Sequence, residues 1–171
     1  MEDMLDVVDE NDNVIGQAPF SKCHDEKLLH RISNIFVFKD DSFQELLLTK
    51  RSKKVLAPGK IGTPGGHVRT GKTYLESAKI ELQEEVFHEQ ELPKEISFEV
   101  LFKMKVDAEY EHLTTVFRAV YPGPFSNCPE EVEESFFMNI NDLLKDIKKN
   151  PDKYSRSFKV KIKEYEKLFL N

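Results

Sequence analysis

The 171-residue chain has no tryptophan, only two cysteines and seven glycines, and no surplus of positive charge. Each shortage removes a class of protein. Cys23 and Cys128 make no recognisable metal or disulfide framework, so a disulfide-stapled scaffold is excluded, and both thiols are expected reduced and at least half-buried. No apolar run approaches the roughly 18 residues that a membrane-spanning helix needs. The opening residues, MEDMLDVVDEND, are acidic and lack the basic and apolar regions of a secretory signal. The expected setting is soluble and cytoplasmic, with no membrane partner. A formal net charge of −6 argues against a nucleic-acid polymer as partner, because such affinity depends on many Lys and Arg contacts to phosphates.

What is present is globular. Hydrophobic residues make 39% of the chain and charged residues 33%, with 13 Phe. That is enough for one domain over 1–171 with a substantial core. Leu5 to Val8 and Val14 to Gln17 flank the turn-rich Glu10–Asn13 and read as a hairpin. A short polar, helix-compatible stretch, SKCHDEKLLHR, leads into a strand at Ile32 to Phe38, and a second strand follows at Glu45 to Thr49. Ile96 to Val106, His112 to Tyr121 and Val132 to Met138 are also strand-like. Asn139 or Asn141 caps a helix through Lys148, and an amphipathic helix spans about Tyr154 to Phe169. Strands next to one another in sequence, with helices between them, predict an α/β fold with helices packed on a mixed sheet.

The densest stretch is Pro64 to His88. Thr73 followed by Glu76 forms a capping box, so a helix starts about Tyr74. Leu75, Ala78, Leu82 and Val86 form its apolar stripe. Glu81, Glu84 and Glu85, at i, i+3 and i+4, fall side by side, with Glu85 nearest the stripe and Glu84 farthest. A solvated acidic face is the plain alternative. Against it stand Gly65, Gly66 and Gly71 just before the helix, where they give the backbone freedom to approach a phosphate. Three adjacent carboxylates repel one another unless something positive binds, and a hard cation such as Mg²⁺, shared with substrate phosphates, suits them. Lys50, Arg51, Lys53, Lys54 and Lys60 cluster ahead of this loop and suit capture of a small anion. Lys159, Lys161, Lys163 and Lys167 read as the polar face of the last helix.

These residues resemble a known family. GHVRTGKTYLESAKIELQEEVFH is similar to the Nudix box, G-x₅-E-x₇-R-E-U-x-E-E-x-G-U with U apolar, over about 66–88. Gly66 takes the first Gly, and Glu81, Glu84 and Glu85 take the acidic positions of the core. The resemblance implies a single Nudix domain with an α/β/α sandwich. It also implies Mg²⁺ or Mn²⁺ held by the three glutamates, and a small diphosphate substrate. Lys72 stands where the box has Glu, Ile80 where it has Arg, Phe87 where it has Gly, and His88 where it has an apolar residue. The box Arg holds a ligand carboxylate in place, and Ile80 has no donor. Ile80 and Phe87 share a side of the helix away from the core stripe, either exposed or in contact with another segment.

LDVVDENDNVIG, HDEKLLHRISNIFVF, LLLTKRSKK, APGKIGTPGGHV and EYEHLTTVF resemble, in order, the isopentenyl-diphosphate isomerase branch and its hydrolase relatives. The likeness implies a second metal site at His24, His30, His67, Glu109 and Glu111, whose mixed ligands suit Zn²⁺ or Mn²⁺ as well as Mg²⁺. It also implies diphosphate contacts from Arg51 and Lys53. Glu109 and Glu111 share one strand face at period two, with Tyr110 opposite. Glu111 is the first candidate for base or extra ligand, and Glu109 the second. Glu130, Glu131, Glu133 and Glu134 read as a solvated loop and strand edge, with one carboxylate able to reach the cleft as a base as the alternative. The isomerase loop carries its cysteine where Gly65 stands here.

The expected function is therefore metal-dependent Nudix hydrolysis of a diphosphate linkage in a nucleoside diphosphate derivative or similar small molecule. Glu81, Glu84, Glu85 and Glu111 are its catalytic candidates, and Arg51, Lys53, Gly65 and Gly66 its substrate contacts. Isopentenyl-diphosphate isomerisation and non-catalytic diphosphate binding are the alternatives.

Overall fold

The structure, a computed structural model, describes residues 2–108 and 110–170. Two sheets carry the strands. The small one is the N-terminal hairpin, β1 (Met4–Val8) against β2 (Val14–Pro19), antiparallel as the turn residues require. A one-and-a-half-turn helix, α1 (Phe20–Asp25), follows, and Leu5, Ala18 and Cys23 pack the two together.

The large sheet is mixed. Its centre is β3 (His30–Phe38), which runs parallel to β8 (Glu111–Val120) from His30↔His112 to Phe38↔Val120. β7 (Glu99–Asp107) closes one side antiparallel to β8. On the other side lies β4 (Glu45–Arg51), whose outer edge pairs with β9 (Val132–Asn139). β3 and β4 share one paired position, Phe38↔Leu46. Beyond it they part. The opening takes two short strands, β5 (Ile61–Gly62) on β4 and β6 (Gly65–His67) on β3. This split in the sheet is where the site forms.

Alternation along the strands gives the sheet two apolar faces. Phe36, Phe38, Leu46 and Leu48 face α3 (Ile140–Lys149) and α4 (Arg156–Phe169), which contribute Ile140, Leu143, Phe158, Ile162 and Tyr165. Ile35, Val37 and Leu47 face α2 (Tyr74–Val86), which contributes Ala78, Leu82 and Val86. The result is the α/β/α sandwich expected from the sequence. Cys23 and Cys128 are free and buried. No helix among the described residues is long and apolar enough to cross a membrane.

Leu75 and Lys161 differ from the sequence reading, and Phe87 takes the second of its two alternatives, contact with another segment. Leu75 is 38% exposed and does not extend the α2 stripe, which begins at Ala78. Phe87 is 1% exposed. The helix ends at Val86, so Phe87 as C-cap leaves helical geometry and turns inward against Tyr121 and Phe125, at centroid distances of 5.2 and 5.7 Å. Lys161 is 4% exposed rather than on a polar face. It lies at i+3 from Phe158, inside the stripe that α4 buries.

Candidate active site

The acidic wall is positioned by the start of α2. Thr73 caps it, its hydroxyl accepting from the Glu76 amide at 3.2 Å while the Glu76 carboxylate accepts from the Thr73 amide at 2.8 Å. The Ser33 hydroxyl donates to the Tyr74 carbonyl at 2.6 Å and ties this end to β3. About two and three turns on, Glu81 and Glu85 meet β6. Glu85 is 7% exposed and accepts from the Gly65 amide at 3.2 Å. The Glu81 carboxylate lies against Gly66, with its carbon 2.5 Å from where a Cβ would stand. Gly65, at φ +151°, has no room for a side chain, since a Cβ would meet the Ser33 carbonyl and Asn34. Both glycines are therefore required by close approach.

Burial, then repulsion from Glu84, pushes the Glu81 carboxyl up to about 7. Burial, then repulsion from Glu81, pushes Glu85 up to about 8. Glu84 is exposed, outside the cavity that Glu81 and Glu85 line, and Arg69 reaches it at 3.6 Å.

That cavity, of about 430 Å³, runs from the acidic wall through the split between β3 and β4 to α4. At one end His24, His30 and His67 converge, with ligand atoms all within 4.8 Å of one another. His24 Nε2 and His67 Nε2 are 3.1 Å apart. His30 Nδ1 is bonded to the Leu28 carbonyl at 2.8 Å, which makes it the protonated nitrogen. Its buried Nε2 has no protein partner, the state in which imidazole ligates a metal. Burial, then the neighbouring His30, holds His24 down to about 4 and His67 down to about 3. These rings are neutral near pH 7.

Of the predicted residues, the structure brings Glu81, Glu85, His24, His67, Arg51, Gly65 and Gly66 to one cavity, with His30 packed behind. Lys53 is exposed and lies outside it. Glu111 is also outside, exposed and paired with Lys105 at 3.3 Å. Glu109 lies outside the described residues. β7 ends at Asp107, which pairs with Glu111, the first residue of β8, so of the predicted strand face only Glu111 falls among the described residues. Tyr110 and His112 line the cavity instead. Tyr110 stacks on His24 at 3.6 Å.

His112 was missed by sequence reasoning. Its Nδ1 bonds to the Tyr110 carbonyl, its buried Nε2 is unpartnered, and burial followed by the Lys161 charge holds it down to about 3. Period two from His112 to Val116 was the available signal. Lys161 also lines the cavity and donates to the Asn34 side-chain oxygen. The basic cluster disperses. Lys50 pairs with Glu133 and Lys54 with Glu130, whereas Arg51 faces the cavity and donates to the Leu56 carbonyl at 2.7 Å. Of the later acidic run, Glu131 alone lines the cavity among the described residues.

A model of the NUDIX domain matches residues 28–158, and the chain belongs to that family. Its relatives fall in the isomerase-like branch. The chain is 31% identical over 157 residues to the isopentenyl-diphosphate Delta-isomerase of Serratia proteamaculans, covering 91% of this chain and 87% of that one. It is 34% identical over 136 residues to an uncharacterised Nudix hydrolase of Yersinia pestis, covering 78% and 71%. The crystal structure of DR0079 from Deinococcus radiodurans superposes with a TM-score of 0.78 at 21% identity, over 94% of this chain and 98% of that one. The last likeness speaks for the fold alone. His24 lies ahead of the matched stretch.

Proposed function

We propose that the chain is a divalent-metal-dependent Nudix hydrolase that cleaves a diphosphate linkage in a small molecule, with nucleoside diphosphate derivatives as the first class to test. One observation carries this reading: two carboxylates, buried Glu85 and half-buried Glu81, stand together on a cavity wall with their proton affinity raised. Adjacent buried acids are costly as anions unless a positive partner offsets them. Their hard oxygen donors, with Glu84 at the rim, fit Mg²⁺ or Mn²⁺. The neutral imidazoles of His24, His30 and His67 fit a borderline cation such as Zn²⁺. When bound, a divalent ion at the glutamates supplies Lewis-acid polarisation of phosphate oxygens and a more acidic water.

The chain's own groups do the rest. Arg51, its guanidinium oriented by the Leu56 carbonyl, neutralises charge developing on the diphosphate. Gly65 and Gly66 let a phosphate approach the backbone closely. Glu131 replaces Glu111 as first candidate for the base that takes the attacking water's proton, since it faces the cavity and Glu111 does not. Lys53 acts only through its field, which salt screens at the surface.

The test is a hydrolysis screen with Mg²⁺ and Mn²⁺ over nucleoside diphosphates, sugar nucleotides, dinucleotides and prenyl diphosphates. Metal-dependent release of phosphate products, abolished by Glu85→Gln, is expected. Full activity in Glu85→Gln overturns the assignment. Isopentenyl-diphosphate isomerisation is the second reading, supported by the imidazole cluster and the named relatives. Gly65 opposes it, because glycine neither delivers nor accepts a proton. Solvent deuterium entering the isoprenoid in the same screen would favour it.

A further inference from the structure

The box position that supplies an arginine is Ile80 here, half-buried and without a donor. An arginine is nevertheless present at the acidic wall, delivered from another part of the chain. Arg69 leaves the loop between β6 and α2, and its Nη2 lies 3.6 Å from Glu84 Oε2. Its Nε donates to Asp3 Oδ2 at 3.0 Å. Asp3 is itself held in place: Leu5 bridges to Arg69, and the Thr70 amide donates to the Met4 carbonyl at 2.8 Å. Asp3, Arg69 and Glu81 all line the cavity, whereas Glu84 does not.

We infer that Arg69 is the positioning residue of this metal site. It does from the loop what the box arginine does from the helix, holding Glu84 at the cavity edge, with the N-terminal strand holding Arg69 through Asp3. This rests on the reading of Glu81, Glu84 and Glu85 as metal-holding residues. The ion pairs themselves are too exposed, at 41% for Arg69 and 45% for Glu84, to matter much for stability. Their consequence is orientation. One Glu84 oxygen on the guanidinium leaves the other for a cation, and a partner that fixes a ligand carboxylate is worth about 10–100-fold in metal affinity. The opposite physical expectation is equally definite. A guanidinium acting only through its charge repels a divalent ion, and its removal tightens binding.

The experiment is a Mn²⁺ titration of the full chain, read by the paramagnetic signal of free ion without substrate. Arg69→Ala is expected to weaken Mn²⁺ about tenfold or more, with the melting temperature nearly unchanged. Arg69→Lys should recover part of the loss, and Asp3→Asn should show a smaller loss of the same sign. Ile80→Arg added to Arg69→Ala should restore affinity. Unchanged or tighter binding in Arg69→Ala, with wild type binding normally, overturns the inference and leaves the glutamate site standing. No Mn²⁺ uptake by wild type overturns both.

Discussion

Glu81 and Gly66 occupy each other's space: the carboxylate carbon lies 2.5 Å from where a Cβ on Gly66 would be. The glutamate reaches the cavity only because residue 66 has no side chain. Gly66→Ala should therefore displace the end of a flexible side chain rather than backbone. The expected outcome is a folded protein, melting within a few degrees of wild type, with Mn²⁺ affinity and any hydrolysis down by about tenfold or more. Thermal melts and metal titration on the same sample check it.

Gly65 presents the opposite case. A side chain there meets the Ser33 carbonyl and Asn34 at φ +151°. Gly65→Cys, which restores the residue of the isomerase loop, should cost about 1–3 kcal/mol in backbone strain and a similar amount in overpacking. A large drop in melting temperature is expected, and no solvent deuterium should enter isopentenyl diphosphate. A Gly65→Cys protein as stable as wild type contradicts the close approach at residue 65.

Restoring the box glycine should harm rather than help. Phe87 sits at φ −125°, which demands no glycine, and its ring fills the core beside Tyr121 and Phe125. Phe87→Gly should lose about 3–5 kcal/mol, the range for deleting a buried aromatic ring. Urea denaturation with an unchanged slope measures it.

Stability of the metal-free protein should depend on pH in two directions. Glu81 and Glu85, near 7 and 8 when folded against an ordinary 4.5, bind more protons folded than unfolded. Their contribution is whole below about 4.5 and is lost as pH rises through about 8. His24, His67 and His112, near 4, 3 and 3 against an ordinary 6.5, act the other way. Stability falls as pH drops from about 6.5 toward about 3. Mn²⁺ should raise the melting temperature more at pH 8 than at pH 5.5, because uptake by ionised ligands releases protons. At a hundredfold over Kd the gain is about 2.7 kcal/mol. Glu85→Gln should flatten the alkaline loss, and a melting profile across pH checks both limbs.

Much of this was legible in the sequence. The Thr73–Glu76 capping box fixed the start of α2, and spacing alone ordered the glutamates from buried Glu85 to exposed Glu84. These are local signals, carried by side chains within one or two turns. Features requiring knowledge of where a strand begins were not legible. Asp107 and Glu111 pair at the end of a hairpin, so a period-two phase carried across it put Glu111 toward the site and Tyr110 away, the reverse of what forms. Lys161 was lost for a related reason: in a lysine-rich helix, charge outweighed its i+3 relation to Phe158, and the cavity under α4 that admits it is visible only in three dimensions.

The most direct measurement is the stoichiometry and affinity of Mn²⁺ on wild type and on Glu81→Gln/Glu85→Gln, by calorimetry at pH 7.5. Saturable uptake by wild type, with proton release, and its loss in the double variant are the expected result. Equal uptake by both proteins would contradict the claim that these carboxylates hold the ion.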